Sequence, residues 1–110
     1  MTKPIFELGA ESSNQLTLHA VLIAKQAVRF TPAGIAVLSL DFQHESEQVE
    51  AGVKRKAKAQ IVVVAAGEIA KAIDTVALGQ KVCLSGFLTE RRKDSKSFAM
   101  HLNEFKVLGV

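Results

Sequence analysis

The chain has 110 residues, 48% of them apolar, with 14 Lys and Arg against 11 Asp and Glu and a formal net charge of +3. That length fits one domain with a single small core, which pairing with a second copy would reinforce. One cysteine, Cys83, excludes an intrachain disulfide and suits a reducing compartment. No apolar run approaches the roughly 20 residues of a membrane helix, and the N-terminus lacks the apolar stretch of a secretory signal.

Residues 1–13 read as a flexible tail, because Pro4, Gly9, Ser12, Ser13 and Asn14 break any period. A first strand is predicted over about 16–24. Leu16, Leu18, Ala20 and Leu22 fall on one face, Thr17, His19, Val21 and Ile23 on the other. Thr31-Pro32-Ala33-Gly34 forms a turn. A second strand, about 35–44, sets Ala36, Leu38, Leu40 and Phe42 toward a core. Residues 45–52 are polar and end at Gly52, and a basic cluster then leads into a third strand, about 57–65. The β-branched run Ile61-Val62-Val63-Val64 favours strand over helix there.

The period changes over 67–78. Ile69, Ile73 and Val76 share one side of a short amphipathic helix, which Gly79 would stop. In the fourth strand Val82, Leu84, Gly86 and Leu88 oppose Cys83, Ser85 and Phe87. Gly86 fits a barrel corner where a Cβ would crowd the bend. In the fifth, about 97–107, Phe98, Met100 and Leu102 share a face, and Phe105 and Val107 fall out of phase with them. A bulge near Asn103 reconciles the two halves. The order β-β-β-α-β-β, over residues 14–110, is that of an all-β, five-stranded Greek-key barrel, the OB-fold, with one short helix between strands three and four.

Eight of the 14 cations lie in two clusters: Lys54, Arg55, Lys56 and Lys58 leading into strand three, and Arg91, Arg92, Lys93 and Lys96 between strands four and five. Neighbouring cations match neighbouring phosphates of a nucleic-acid strand. The competing reading is a pair of solvated hairpin tips that keep the edges soluble. Glu45, Glu47 and Glu50 are placed to neutralise part of the first cluster. Single-strand binders also stack bases on aromatic rings, yet the chain has no Trp or Tyr and six Phe. Phe42 and Phe98 read as core. Phe30, beside Arg29, and Phe87, opposite the core set, are the candidate stackers.

His44-Glu45 begins a zinc-binding HExxH pattern, but Gln48 stands where the second His belongs. No metal, cofactor, phosphate loop or activated nucleophile is expected, and Cys83 reads as an inert thiol. The chain reads as a non-enzyme.

Several scattered residues carry a resemblance from about residue 14 to 107. They are Thr31-Pro32-Ala33-Gly34-Ile35, Phe42, His44, Ala51-Gly52, Gly79, Gly86-Phe87 and His101. The sequence resembles the primosomal replication protein N (PriB) family of bacterial replication-restart proteins, built like single-stranded-DNA-binding (SSB) OB domains. The resemblance implies a cytoplasmic homodimer that binds single-stranded DNA and partners the PriA helicase and later primosome proteins at stalled forks. It implies a DNA face at Arg29, at Lys54 to Lys58 and at Arg91 to Lys96. The chain departs from the best-known members. Lys58 replaces a stacking Trp, Val53 an aromatic and Glu45 a cation, so weaker binding with a larger electrostatic share is expected.

Two alternatives stand beside this reading. One is a general SSB protein, against which the absence of a long acidic tail after Val110 counts. The other is a protein–protein adaptor whose cations dock on an acidic partner. Val21, Ile23, Val62 and Val64 are candidates for a dimer contact.

Overall fold

A computed structural model describes residues 12–109. Most of the expected tail, residues 1–11, lies outside the described residues. The elements are β1 (Leu16–Lys25), β2 (Arg29–Phe30), β3 (Ala36–Glu50), β4 (Val53–Ala66), α1 (Glu68–Ile73), β5 (Lys81–Glu90) and β6 (Phe98–Val107). The sheet runs β1-β5-β6-β4-β3-β2, and β1 also pairs with β3. That second pairing closes β1, β3, β4, β6 and β5 into a five-stranded barrel, with β4 and β6 parallel and two-residue β2 on its flank. This is the OB-fold.

Alternation in β1, β3 and β5 places Ala20, Leu22, Leu38, Leu40, Phe42, Val82 and Leu84 in the core, as their spacing predicts. The bulge in β6 falls where expected: Ser85 pairs with Glu104 and Gly86 with Leu102, so Asn103 is left over. Gly86 lies against the backbone of β6, where an added Cβ would overlap the His101 carbonyl oxygen.

The helix is shorter than the predicted 67–78. Asp74 forms its C-cap. The Lys25 ammonium donates to the Asp74 carbonyl at 2.7 Å and pairs with its carboxylate at 3.4 Å. Thr75 Oγ1 donates to the Ala72 carbonyl at 2.7 Å. These side chains satisfy the last carbonyls of α1 and end it before Gly79. Gly79 instead docks the following turn on β1, its N–H donating to the Leu22 carbonyl at 2.8 Å. Ala70, Ile73 and Val76 bury against the barrel, so α1 seals the end where β3 begins and β4 finishes. Among the described residues, no helix covers the opposite end, where β1 begins and β5 turns into β6.

His44 has a structural task. Its Nδ1 donates to the His19 carbonyl of β1 at 2.6 Å, and its Nε2, 2.8 Å away, accepts from Ser46 Oγ. The ring thus ties β3 to β1 at the seam that closes the barrel. Asn14 pins the entry to β1: its Nδ2 donates to the Leu88 carbonyl at 2.8 Å and its Oδ1 accepts from the Leu88 N–H at 2.9 Å.

Candidate nucleic-acid interface

β3 and β4 extend past the barrel as a two-stranded ribbon. Their register is continuous from Val37↔Ala66 to Glu50↔Val53. A two-residue turn joins them, with Ala51 at φ 51° and Gly52 at φ 76°. Both angles are positive, as a type I′ hairpin turn requires and as its twist favours. The first basic cluster therefore sits on β4 and not in a loop, which corrects the sequence reading.

The ribbon register sets opposite charges side by side: Glu45↔Lys58 and Glu47↔Lys56. The resulting ion pairs are diagonal. Lys54 Nζ lies 3.8 Å from Glu47, Lys56 Nζ 3.3 Å from Glu45, and Arg55 Nη1 3.0 Å from Glu50. All six side chains are exposed, so each pair adds at most about 1 kcal/mol of stability. Their larger consequence is electrostatic: three of the four ribbon cations already have a carboxylate beside them. Among the described residues, Lys58, Arg91, Arg92, Lys93 and Lys96 have no acidic partner. The Arg29 side chain has, among the described residues, only the Ser39 hydroxyl, at 3.5 Å.

Strand alternation sorts these residues by face. Lys54, Lys56 and Lys58 share a side of β4 with Val62 and Val64, the outer side of the barrel. Arg55 points to the opposite side. Pairing of β2 with β3 sets Arg29 opposite Val37, on that same outer side. The β5–β6 turn is shaped by Arg91 N–H to the Ser97 carbonyl at 3.0 Å and Ser95 N–H to the Arg92 carbonyl at 3.0 Å. It brings Arg91 and Arg92 to Arg29 around a shallow groove of about 190 Å³, floored by Ser39, Val62, Val64, Ala99 and His101. Arginines far apart in sequence thus meet at one groove, with Lys58 further along the same outer face. Arg55 lies off that side.

Phe42 is buried and Phe30 and Phe87 are exposed, as the sequence reading expects, but Phe98 is not in the core. Phe30 is 65% exposed, but alternation in β2 turns it to the side opposite Arg29. Phe87 is 36% exposed, and its ring stacks on His101 with centroids 5.3 Å apart. Phe98, expected in the core, is 65% exposed. It does face the same way as Met100, yet it lies at the start of β6, beyond the last layer of core side chains. Val62 and Val64, considered for a dimer contact, line the groove.

Among the described residues no three His, Cys, Asp or Glu side chains are grouped to hold a metal. None of their helices is long and apolar enough to cross a membrane.

With this geometry in place, similarity to known proteins is informative. Residues 14–104 match a family model described as another single-strand binding protein family. Over 91 residues the chain is 41% identical to the replication restart protein PriB of Bordetella pertussis, covering 83% of this chain and 85% of that one. The chain belongs to the PriB family. The structure agrees: PriB from Ralstonia solanacearum superposes with a TM-score of 0.80 at 26% identity, over 88% of this chain and 99% of that one. The single-stranded DNA binding protein from Thermus aquaticus superposes at 0.71 and 25% identity, over 88% of this chain and 51% of its own. PriB-family membership and the SSB-type OB-fold are therefore both supported, by sequence and by shape.

Proposed function

We propose that this chain binds single-stranded DNA as an accessory protein of replication restart and brings the PriA helicase to it, acting as a homodimer in the bacterial cytoplasm. The observation that carries the reading is the convergence of Arg29, Arg91 and Arg92 on one groove, free of acidic partners among the described residues, in a chain of the PriB family. Phosphates are held by these arginines, by Lys58 and by Lys93 and Lys96 of the turn. Lys54, Arg55 and Lys56 contribute less, because Glu47, Glu50 and Glu45 already compensate them. The protein does no bond chemistry in this role; it positions a strand.

Labelled oligo-dT, titrated with and without the helicase, tests the proposal. Binding by the protein alone, together with faster helicase unwinding when it is added, is the expected result. The ion pairing along the ribbon favours one second reading, an adaptor that docks on an acidic partner. Binding only when helicase is present would replace the first reading with that one.

The ribbon carboxylates have their own expected effect. Glu45→Gln with Glu47→Gln frees Lys54 and Lys56 on the outer face. Oligo-dT affinity should rise several-fold at low salt, with a steeper salt dependence by about 1.4 for two added phosphate contacts. Glu68→Gln with Glu104→Gln, which makes the same change in net charge on α1 and β6 and away from the ribbon, is the control and should change little.

A further inference from the structure

We infer that the open end of the barrel is a nucleobase pocket in which Phe98 is the stacking ring. The inference rests on the single-stranded-DNA reading and adds a site to it. The cleft there encloses about 580 Å³, within the roughly 300–1,000 Å³ typical of small-ligand sites. Its apolar wall includes Leu16, Ile61 and Leu88, all from core-facing positions, and the exposed ring of Phe98. Arg91 and Lys96 stand among the same lining residues, with no acidic partner among the described residues.

Three observations select a nucleotide as occupant. The first is charge: an aromatic face with two uncompensated cations beside it matches a base joined to phosphates, since stacking takes any base and the cations take the backbone. The second is continuity. Arg91 and Val62 line both this cleft and the groove that holds Arg29 and Arg92, so a strand leaving the groove over Arg91 arrives at Phe98. The third is competition among the rings. Phe30 turns away from Arg29, and Phe87 already stacks on His101. Phe98 is the exposed ring with free cations beside it and no ring partner among the described residues. It supplies stacking from β6, a strand on the far side of β4 from the ribbon, in a chain with no Trp or Tyr.

The absence of Trp gives a clean optical test. In Phe98→Trp the only indole is at the pocket, and its fluorescence should be quenched on titration with oligo-dT, with affinity equal to or above that of the parent. Phe98→Leu keeps the apolar packing and removes the π-face; affinity for oligo-dT should fall roughly tenfold with the salt slope unchanged. Indole emission that stays unquenched in Phe98→Trp, or unaltered affinity in Phe98→Leu while the parent chain binds DNA with its salt dependence intact, overturns the pocket and leaves the DNA reading standing. A change in sedimentation coefficient in Phe98→Leu also overturns it, because the cleft would then be an interface between copies. Loss of binding by the parent chain itself is the separate result that removes the DNA reading.

Discussion

Gly86→Ala should lower the melting temperature by on the order of 15 °C, from a cost of about 3 kcal/mol for overpacking a close backbone contact. The new Cβ would overlap the His101 carbonyl oxygen, with the His101 carbonyl carbon and the Leu102 Cα next in line. All three are backbone atoms, so no side chain can rotate away. Relief would require β5 and β6 to separate at the point where the Asn103 bulge already perturbs their register. A small domain is stabilised by only about 5–15 kcal/mol, so the loss is a large fraction of the total. Thermal unfolding followed by circular dichroism reads it directly. A shift of less than a few degrees would mean that the two strands do not approach each other as described.

The second large effect concerns binding. Replacing Arg29, Arg91 and Arg92 together with alanine should weaken oligo-dT binding by roughly a hundredfold or more at low salt. It should make the salt dependence shallower by about 2, since each single-strand phosphate contact contributes about 0.7 to the slope. The charge-matched comparison is Lys71, Lys81 and Lys106 changed to alanine. These lie on α1, β5 and β6, away from the groove, and their loss should alter affinity by about threefold or less. Equal losses in the two triple variants would show that net charge alone governs binding and that the groove has no special part. Fluorescence anisotropy of a labelled oligonucleotide, with folding checked by circular dichroism, makes the comparison.

The sequence was readable wherever one face of a strand is buried and the other wet. In the second predicted strand all four alternating apolar residues are in the core; in the first and fourth, Ala20, Leu22, Val82 and Leu84 are, whereas Leu16, Leu18 and Leu88, nearer the open end, are half-buried. The Asn103 bulge and the steric demand at Gly86 were legible for the same reason, since a break in alternation or a glycine in mid-strand has few physical causes. The ribbon was not legible. Residues 45–50 and 53–58 have solvent on both sides, so no apolar period marks them as strands. A different signal was present: Glu45 and Glu47 face Lys58 and Lys56 across Ala51-Gly52, the pattern of opposite charges that cross-strand neighbours favour.

Phe98 shows the other limit. Its parity matched that of Met100 and Leu102, but parity reports which way a side chain faces and not whether the barrel continues far enough to cover it. The helix end failed for a local reason, because Lys25 and Thr75 cap carbonyls that the periodic pattern leaves open. The two cation clusters were visible as composition. Their unequal standing, one paired with glutamates and one not, appears only with the register and the ion pairs.

The salt dependence of oligo-dT affinity for the unmodified chain tests most directly the proposal that uncompensated cations on one outer face hold the phosphate backbone. For roughly five neutralised phosphates, log K should fall against log salt with a slope of about −3.5. A slope near zero, with binding still present, would contradict the claim.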